Sequence, residues 1–154
     1  MFDNPLLYES IRRYAVRLLS DTDAANDVVQ EVFLRFNQHQ NTIEQPRAWA
    51  YRTARNLVID RFRQTKTTVL SETMPAEAGQ FNPVLLTEKK EEFEMIQQKI
   101  NRLSIRHREV LRLKFQEGLK YTEIADVIGE PVTTVAWLIH EAVTLLRKEF
   151  TSDK

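Results

Sequence analysis

Four of the cationic residues between positions 46 and 66, together with one asparagine, are spaced so that they share one side of a helix. This stripe consists of Arg52, Arg55, Asn56, Arg63 and Lys66. Guanidinium and ammonium groups neutralise phosphates, and an amide between them can bond to a base edge. The spacing therefore predicts contact with a nucleic-acid backbone. Arg61 falls toward the buried side of the same helix, where an ion pair with a carboxylate is expected.

An earlier segment has the spacing of a docking surface. Four apolar residues lie at i, i+3, i+4 and i+7 and predict a buried stripe: Val29, Val32, Phe33 and Phe36. On another face with the same spacing lie Asp27, Gln30, Glu31 and Leu34. A polar patch with one apolar anchor is typical of a protein interface. A solvated helix face is the alternative explanation.

The C-terminal part has the pattern of a helix-turn-helix. Thr122 is the predicted cap of a short helix that ends at Gly129, and Gly129-Glu130-Pro131 has the length of the tight turn. The following helix has a predicted buried stripe, which comprises Val135, Leu138, Ile139, Ala142 and Leu146. An ordinary helical bundle with a short turn is the alternative.

The predicted outward face of this last helix lacks cations. It holds Thr133, Thr134, Trp137, His140, Glu141 and Thr144, flanked by Ala136 and Val143. DNA affinity depends on phosphate neutralisation, so two interpretations remain. Either Lys120, Thr133, Thr134 and His140 bind DNA weakly, or Ala136, Trp137 and Val143 dock on another protein. The second is favoured, and earlier cations such as Arg106, Arg108, Arg112 and Lys114 remain candidates for phosphate contacts.

The composition limits the class of protein. The chain has 154 residues, with 22 Lys plus Arg against 22 Asp plus Glu, so any nucleic-acid surface must be local. The chain contains no cysteine, which excludes disulfides and thiolate zinc sites and fits a reducing cytoplasm. Charged residues interrupt the first 20 positions, so neither a signal peptide nor membrane insertion is predicted.

Hydrophobic periodicity predicts an all-α protein of two small helical domains. The first helix, 5–20, carries an expected apolar stripe of Leu6, Ile11, Tyr14, Ala15, Leu18 and Leu19. The other predicted helices cover about 22–37, 46–66, 84–102, 105–116, 122–128 and 132–150. The stretch between the predicted helices 46–66 and 84–102 is rich in Thr, Ser, Glu, Gly and Pro, which is typical of a linker. The expected division is 1–66, linker 67–83 and 84–154.

Four segments resemble one known family. Residues 103–111 (LSIRHREVL) and 117–125 (EGLKYTEIA) resemble region 4 of extracytoplasmic-function (ECF) sigma factors of bacterial RNA polymerase. Residues 27–35 (DVVQEVFLR) and 46–63 are similar to the family's region 2.

The resemblance implies a role for each segment. Region 2 would bind the β′ clamp helices through the 27–35 segment and melt the −10 element with the third helix. A loop at about 38–45 would capture an unstacked base there through Asn41, Thr42 and Glu44. Region 4 would recognise the −35 element and dock on the β flap.

These observations predict a sigma factor that binds core RNA polymerase, recognises promoter DNA and opens that DNA for transcription initiation. A stand-alone helix-turn-helix regulator and a sigma-like adaptor that does not open DNA are the alternatives. An anti-sigma factor and a recruiting DNA-targeting protein are further candidate partners. No enzyme activity, metal or cofactor is expected: the three histidines (His39, His107 and His140) lie in separate segments, and Asp21 and Asp23 look like helix caps.

Overall fold

The computed structural model describes residues 5–65, 74–75 and 90–152, and within these ranges the secondary structure is helical. The elements are α1 (Pro5–Leu19), α2 (Thr22–His39), α3 (Pro46–Thr65), α4 (Lys90–Asn101), α5 (Ile105–Leu111), α6 (Tyr121–Ile128) and α7 (Val132–Ser152). A π-helical turn, Arg112–Gln116, continues α5. The all-α prediction is confirmed. The predicted linker lies outside the described residues except for Met74 and Pro75.

The N-terminal domain is a three-helix unit of α1, α2 and α3. Asp21 caps α2, since its carboxylate accepts a hydrogen bond from the Ala24 N–H at 3.1 Å. The predicted stripe of α2 is buried as expected, and it comprises Val29, Val32, Phe33 and Phe36. The phase of α1 was wrong at one position, because Leu6 is 80% exposed and Leu7 is buried instead. Leu7 lies four residues before Ile11 and so shares its face.

Helix α3 is the central element because it is buried on two sides. Ala50, Ala54 and Val58 are buried in the N-terminal core. Ile59, one position beyond Val58, is also buried and borders a cavity that the C-terminal helices help to line. Apolar contacts on both of these sides therefore hold α3 in place.

The C-terminal domain contains the predicted helix-turn-helix in α6 and α7. Gly129 ends α6 with a φ of 72°, and its N–H donates to the Ala125 carbonyl at 2.9 Å. Thr122 does not cap α6 and is exposed in its first turn. The cap position is Lys120, whose backbone N–H donates to Glu123 Oε1 at 2.9 Å. The first turn is thus stabilised by a side chain of the helix itself.

The π-helical turn joins the two halves of the C-terminal domain. The Glu117 N–H donates to the Arg112 carbonyl at 2.9 Å, which is the i→i+5 bond of a π-helix. The chain then turns at Gly118, with a φ of 71°. No helix in the described ranges is long and apolar enough to cross a membrane.

Candidate nucleic-acid interface

The arginine stripe on α3 faces carboxylates of the C-terminal domain. Arg52 Nη1 lies 2.9 Å from Asp126 Oδ1 on α6. Arg55 pairs through Nε and Nη2 with both carboxylate oxygens of Glu109 on α5, and each side chain of this pair is only 11% exposed. The guanidiniums predicted to bind phosphates therefore bind anionic groups of the same chain.

The rest of the stripe is less engaged by the C-terminal domain. Asn56 is exposed, and Arg63 Nη1 lies 3.8 Å from Asp60 Oδ1 on its own helix. Lys66 lies outside the described residues. The predicted ion pair of Arg61 is confirmed, with its Nη2 3.4 Å from Asp27 Oδ2 on α2.

Glu117 is the most buried carboxylate at the junction of the two domains. Its side chain is 3% exposed, and Oε2 accepts a hydrogen bond from Arg17 Nη1 at 2.6 Å. Its Oε1 accepts from the Tyr51 hydroxyl at 2.9 Å. Burial raises the pKa of Tyr51 well above its ordinary value, and the negative charge of Glu117 raises it further. Tyr51 therefore stays a neutral donor to this carboxylate.

Arg47 fixes the turn after the π-helix. Its Nη2 donates to the carbonyls of Glu117 at 3.0 Å and Gly118 at 2.9 Å. Its Nε lies 3.8 Å from Glu123 Oε2 on α6. The first turn of α3 thus holds the chain that leads into the helix-turn-helix.

Two arginines suggested for phosphate contacts are buried. Arg108 and Arg112 are 8% and 6% exposed, so they are not available to DNA in this arrangement. Burial lowers the pKa of both guanidiniums, and Arg112 Nη1 donates to Gln116 Oε1 at 2.9 Å. Of the other candidates, Arg106 pairs with Glu130 at 3.0 Å, and Lys114 Nζ lies 4.8 Å from the Tyr121 ring centre.

A cleft of about 420 Å³ separates the α2–α3 loop from α6. The loop is shorter than expected, because α2 continues to His39. Asn41 and Thr42 are exposed, and Thr42 Oγ1 donates to the His39 carbonyl at 2.9 Å. The cleft is lined by Thr42, Ile43, Glu44, Gln45, Trp49, Arg52, Thr122 and Asp126. It is large enough for one base, with Trp49 on its wall.

The predicted docking face of α2 lies on the outside of the molecule. Asp27, Gln30 and Leu34 are exposed, and Leu34 keeps 55% of its surface in solvent. Glu31 is half-buried, and its Oε1 lies 2.8 Å from Nε of Arg35, one turn later. This face is on the side of α2 opposite its buried stripe, as the periodicity predicts.

Among the residues predicted to form the outward face of α7, Thr133, Trp137 and His140 are exposed, with Trp137 59% exposed. Thr134 and Ala136 are half-buried, and Val143 packs partly against the core. The outward apolar group is therefore centred on Trp137, with a smaller contribution from Val143 than expected.

The sequence pattern did not predict which carboxylates lie at the domain junction. Glu109, Glu117 and Asp126 have no spacing that distinguishes them from solvated charges. The only available signal was indirect: a chain with a basic stripe and no net charge must place compensating acids elsewhere.

Comparison with known proteins identifies the class. Residues 7–68 match the family model described as Sigma-70 region 2, and residues 93–146 match the one described as Sigma-70, region 4. The ECF sigma factor SigL of Mycobacterium tuberculosis is 33% identical over 141 residues, covering 88% of this chain and 79% of that protein. The ECF sigma factor SigW of Bacillus subtilis is 31% identical, covering 92% and 83%. The chain belongs to the ECF sigma factors of bacterial RNA polymerase.

Solved structures agree on the fold. The chain resembles the sigma factor RpoE of Bartonella quintana, determined with the anti-sigma factor NepR, with a TM-score of 0.64 and 22% identity over 97% of this chain and 94% of that one. It also resembles CnrH, determined with the cytosolic domain of CnrY, with a TM-score of 0.58 and 21% identity over 96% and 82%. As a family, sigma factors are initiation factors that act with core RNA polymerase on promoter DNA, and they are not enzymes.

Proposed function

We propose that the two domains divide the work of initiation so that the N-terminal domain carries polymerase binding and DNA opening. The observation that carries this proposal is the arrangement of α2 and α3. The docking face of α2 is exposed, while the guanidiniums of α3 that pair with the C-terminal domain bind anionic groups. The same guanidiniums suit phosphate oxygens, because carboxylate and phosphate present similar acceptor geometry to an arginine.

The face formed by Asp27, Gln30, Glu31 and Leu34 binds the β′ clamp helices in this proposal. Leu34 supplies the apolar anchor and the acidic and amide groups supply the polar rim. The stripe of Arg52, Arg55, Asn56, Arg63 and Lys66 contacts the −10 region, and Asn41 and Thr42 bond to an unstacked base. The chain works in the cytoplasm, where the polymerase is. The division at 1–66, 67–83 and 84–154 stays a prediction.

One pair of variants separates the two roles. Gln30→Ala/Glu31→Arg weakens co-purification with core polymerase at least tenfold, because it replaces an acceptor with a cation in the docking face. Arg55→Ala/Arg63→Ala keeps polymerase binding but loses permanganate reactivity of the −10 thymines. The proposal fails if the first variant binds polymerase normally or the second opens promoter DNA normally. Circular dichroism checks that both variants keep their helices.

For region 4, the exposed face of α7 supports protein docking over −35 recognition. In the described part of α7, no cation precedes Arg147, and the exposed side chain of greatest size is Trp137. Lys120, Thr133, Thr134 and His140 offer weak DNA contacts in this proposal, and the patch of Ala136, Trp137 and Val143 offers the stronger contact to a protein. An anti-sigma factor and a recruiting DNA-targeting protein are the two kinds of partner that suit it.

The full chain tests this second proposal. Wild-type protein should bind duplex DNA that carries a −35 element no more tightly than scrambled duplex, measured by fluorescence anisotropy at low salt. Sequence-specific binding that requires Thr133, Thr134 and His140 would show that α7 recognises DNA and would refute the docking proposal.

A further inference from the structure

A cavity of about 420 Å³ opens between α3 and the C-terminal domain. It shares no lining residue with the cleft beside the α2–α3 loop, so the two are separate sites. Cavities of about 300 to 1,000 Å³ hold small organic molecules, and they occur preferentially where two domains meet. The size and place of this cavity therefore suit a small ligand, and its lining defines the chemistry of that ligand.

One part of the lining is apolar. Ile59 on α3 and Leu138 on α7 are buried, and Ile128 at the end of α6 is half-buried. Three aliphatic side chains from three helices form a surface on which a flat ring can pack. An inorganic anion would leave this surface empty, so the ligand must have an apolar part.

Two arginines from opposite domains line the cavity beside this apolar surface. Arg63 Nη1 lies 3.8 Å from Asp60 Oδ1, and Arg106 Nη2 lies 3.0 Å from Glu130 Oε1. Each of these four side chains is at least 34% exposed. Exposed ion pairs of this kind contribute about 1 kcal/mol or less. A phosphate, which offers several oxygens to two guanidiniums, can therefore displace both carboxylates.

The third ion pair of the lining is of a different kind. Arg55 bonds to both carboxylate oxygens of Glu109, and each of these side chains is only 11% exposed. This pair therefore stays closed when a ligand enters. In total three arginines and three carboxylates line the cavity, so a ligand with a single phosphate suits it better than a polyphosphate.

The displaced carboxylates specify the rest of the ligand. An ionised carboxylate only accepts hydrogen bonds, so Asp60 needs a donor once Arg63 has turned to the phosphate. Asn56 lies one helical turn before Asp60, is exposed, and offers both a donor and an acceptor. The amino group and the neighbouring ring nitrogen of a nucleobase match this amide and this carboxylate. A wholly apolar ligand would leave both without a partner.

We propose that this cavity binds a nucleoside monophosphate. Its base packs on Ile59 and Leu138 and donates its amino group to Asp60, and its phosphate lies between Arg63 and Arg106. This inference goes beyond the proposed function, because it needs neither polymerase nor a promoter. Since Arg63 and Asn56 also belong to the α3 stripe, a bound mononucleotide and DNA compete for them.

Titration calorimetry with the full chain tests the ligand class. The probes are CMP, UMP, ribose 5-phosphate and inorganic phosphate. CMP should bind about tenfold more tightly than UMP, because cytosine presents an amino donor where uracil presents a carbonyl oxygen. Ribose 5-phosphate and inorganic phosphate should bind more weakly than either nucleotide, because neither has a base to cover the apolar surface.

Two matched pairs of variants test the assigned residues. Arg106→Ala should weaken CMP binding about tenfold or more, while Arg102→Ala removes an exposed arginine outside the cavity and should leave the affinity unchanged. Asp60→Asn should bring the affinities for CMP and UMP close together, because an amide accepts from one base and donates to the other. The control Asp23→Asn should keep the wild-type preference for CMP. Circular dichroism checks that all four variants keep their helices.

The inference is overturned if CMP gives no binding heat up to about 1 mM, if CMP and UMP bind equally, or if Arg106→Ala and Arg102→Ala lose the same affinity. It is also overturned if a short oligothymidine binds and no mononucleotide does, because the cavity would then be part of the DNA surface. None of these results touches the proposed function. Normal promoter opening by Arg55→Ala/Arg63→Ala overturns the proposed function instead, so the two failures are distinguishable.

Discussion

Helices α3 and α7 each carry a surface predicted to meet nucleic acid, and the two surfaces differ in charge and in cover. The α3 stripe is rich in arginine and lies under carboxylates of the C-terminal domain. The α7 face is open to solvent but holds Thr133, Trp137 and His140 in place of cations. The surface predicted to bind polyanions has two of its arginines paired with carboxylates of the other domain, and the surface without cations is left free. Exposure alone is therefore a poor basis for predicting a DNA-binding surface.

The largest expected effect concerns the phase of α7. Leu138→Ala should lower the free energy of unfolding by about 2–5 kcal/mol, because Leu138 is buried and its truncation leaves a cavity. The adjacent Trp137→Ala should change it by less than about 0.5 kcal/mol, because that side chain lies mostly in solvent. Urea denaturation measures both. A large loss of stability in Trp137→Ala would make Trp137 a core residue and remove the docking patch.

A second change gives α7 the charge of α3. Thr133→Arg/His140→Arg places two cations on the exposed face, and each new phosphate contact adds about 0.9 to the salt slope of duplex binding. Between 200 and 50 mM salt the variant should gain about tenfold more duplex affinity than wild type does. Anisotropy titrations at several salt concentrations measure the slope. An unchanged slope would mean that α7 does not approach the duplex.

The smallest effect compares how the two domains begin a helix. Asp21→Ala should cost about 1 kcal/mol of stability, because Asp21 caps α2. Thr122→Ala should lower the stability by less than about 0.5 kcal/mol, because Thr122 is not the N-cap residue of α6 and its side chain is exposed. Thermal unfolding of the two variants measures the difference. Equal losses would contradict the assignment of Lys120 to the cap position of α6.

Periodicity was sufficient for the helices and for most of their buried faces. The stripe of α2 and the turn at Gly129 were predicted correctly because each depends on local spacing and on the conformational freedom of glycine. Leu6 was misplaced because two adjacent leucines near a helix start fit either phase, and only packing of Leu7 against the core selects one.

The contacts between the domains could not be predicted in the same way. Glu109 and Arg55 are 54 residues apart, and nothing in the local pattern of either helix names the other as its partner. Arg108 and Arg112 were expected at the surface because arginine usually is exposed, yet tertiary packing buries both. Pairings between distant charges depend on how two finished domains meet, which periodicity does not encode.

The number of residues in the π-helical turn at Arg112–Gln116 determines the direction in which Glu117 points. A π-helix holds one residue more than the α-helical turn it replaces, so Glu117 leaves the helix about 100° later than it would from a regular turn. That extra residue orients Glu117 toward Arg17 and Tyr51 and aims the Gly118 carbonyl at Arg47. Deletion of Phe115 alone would leave every charged group in the sequence and still rotate Glu117 away from its partners. The contacts between the two domains thus depend on the number of residues in this turn as well as on the identity of the charged side chains.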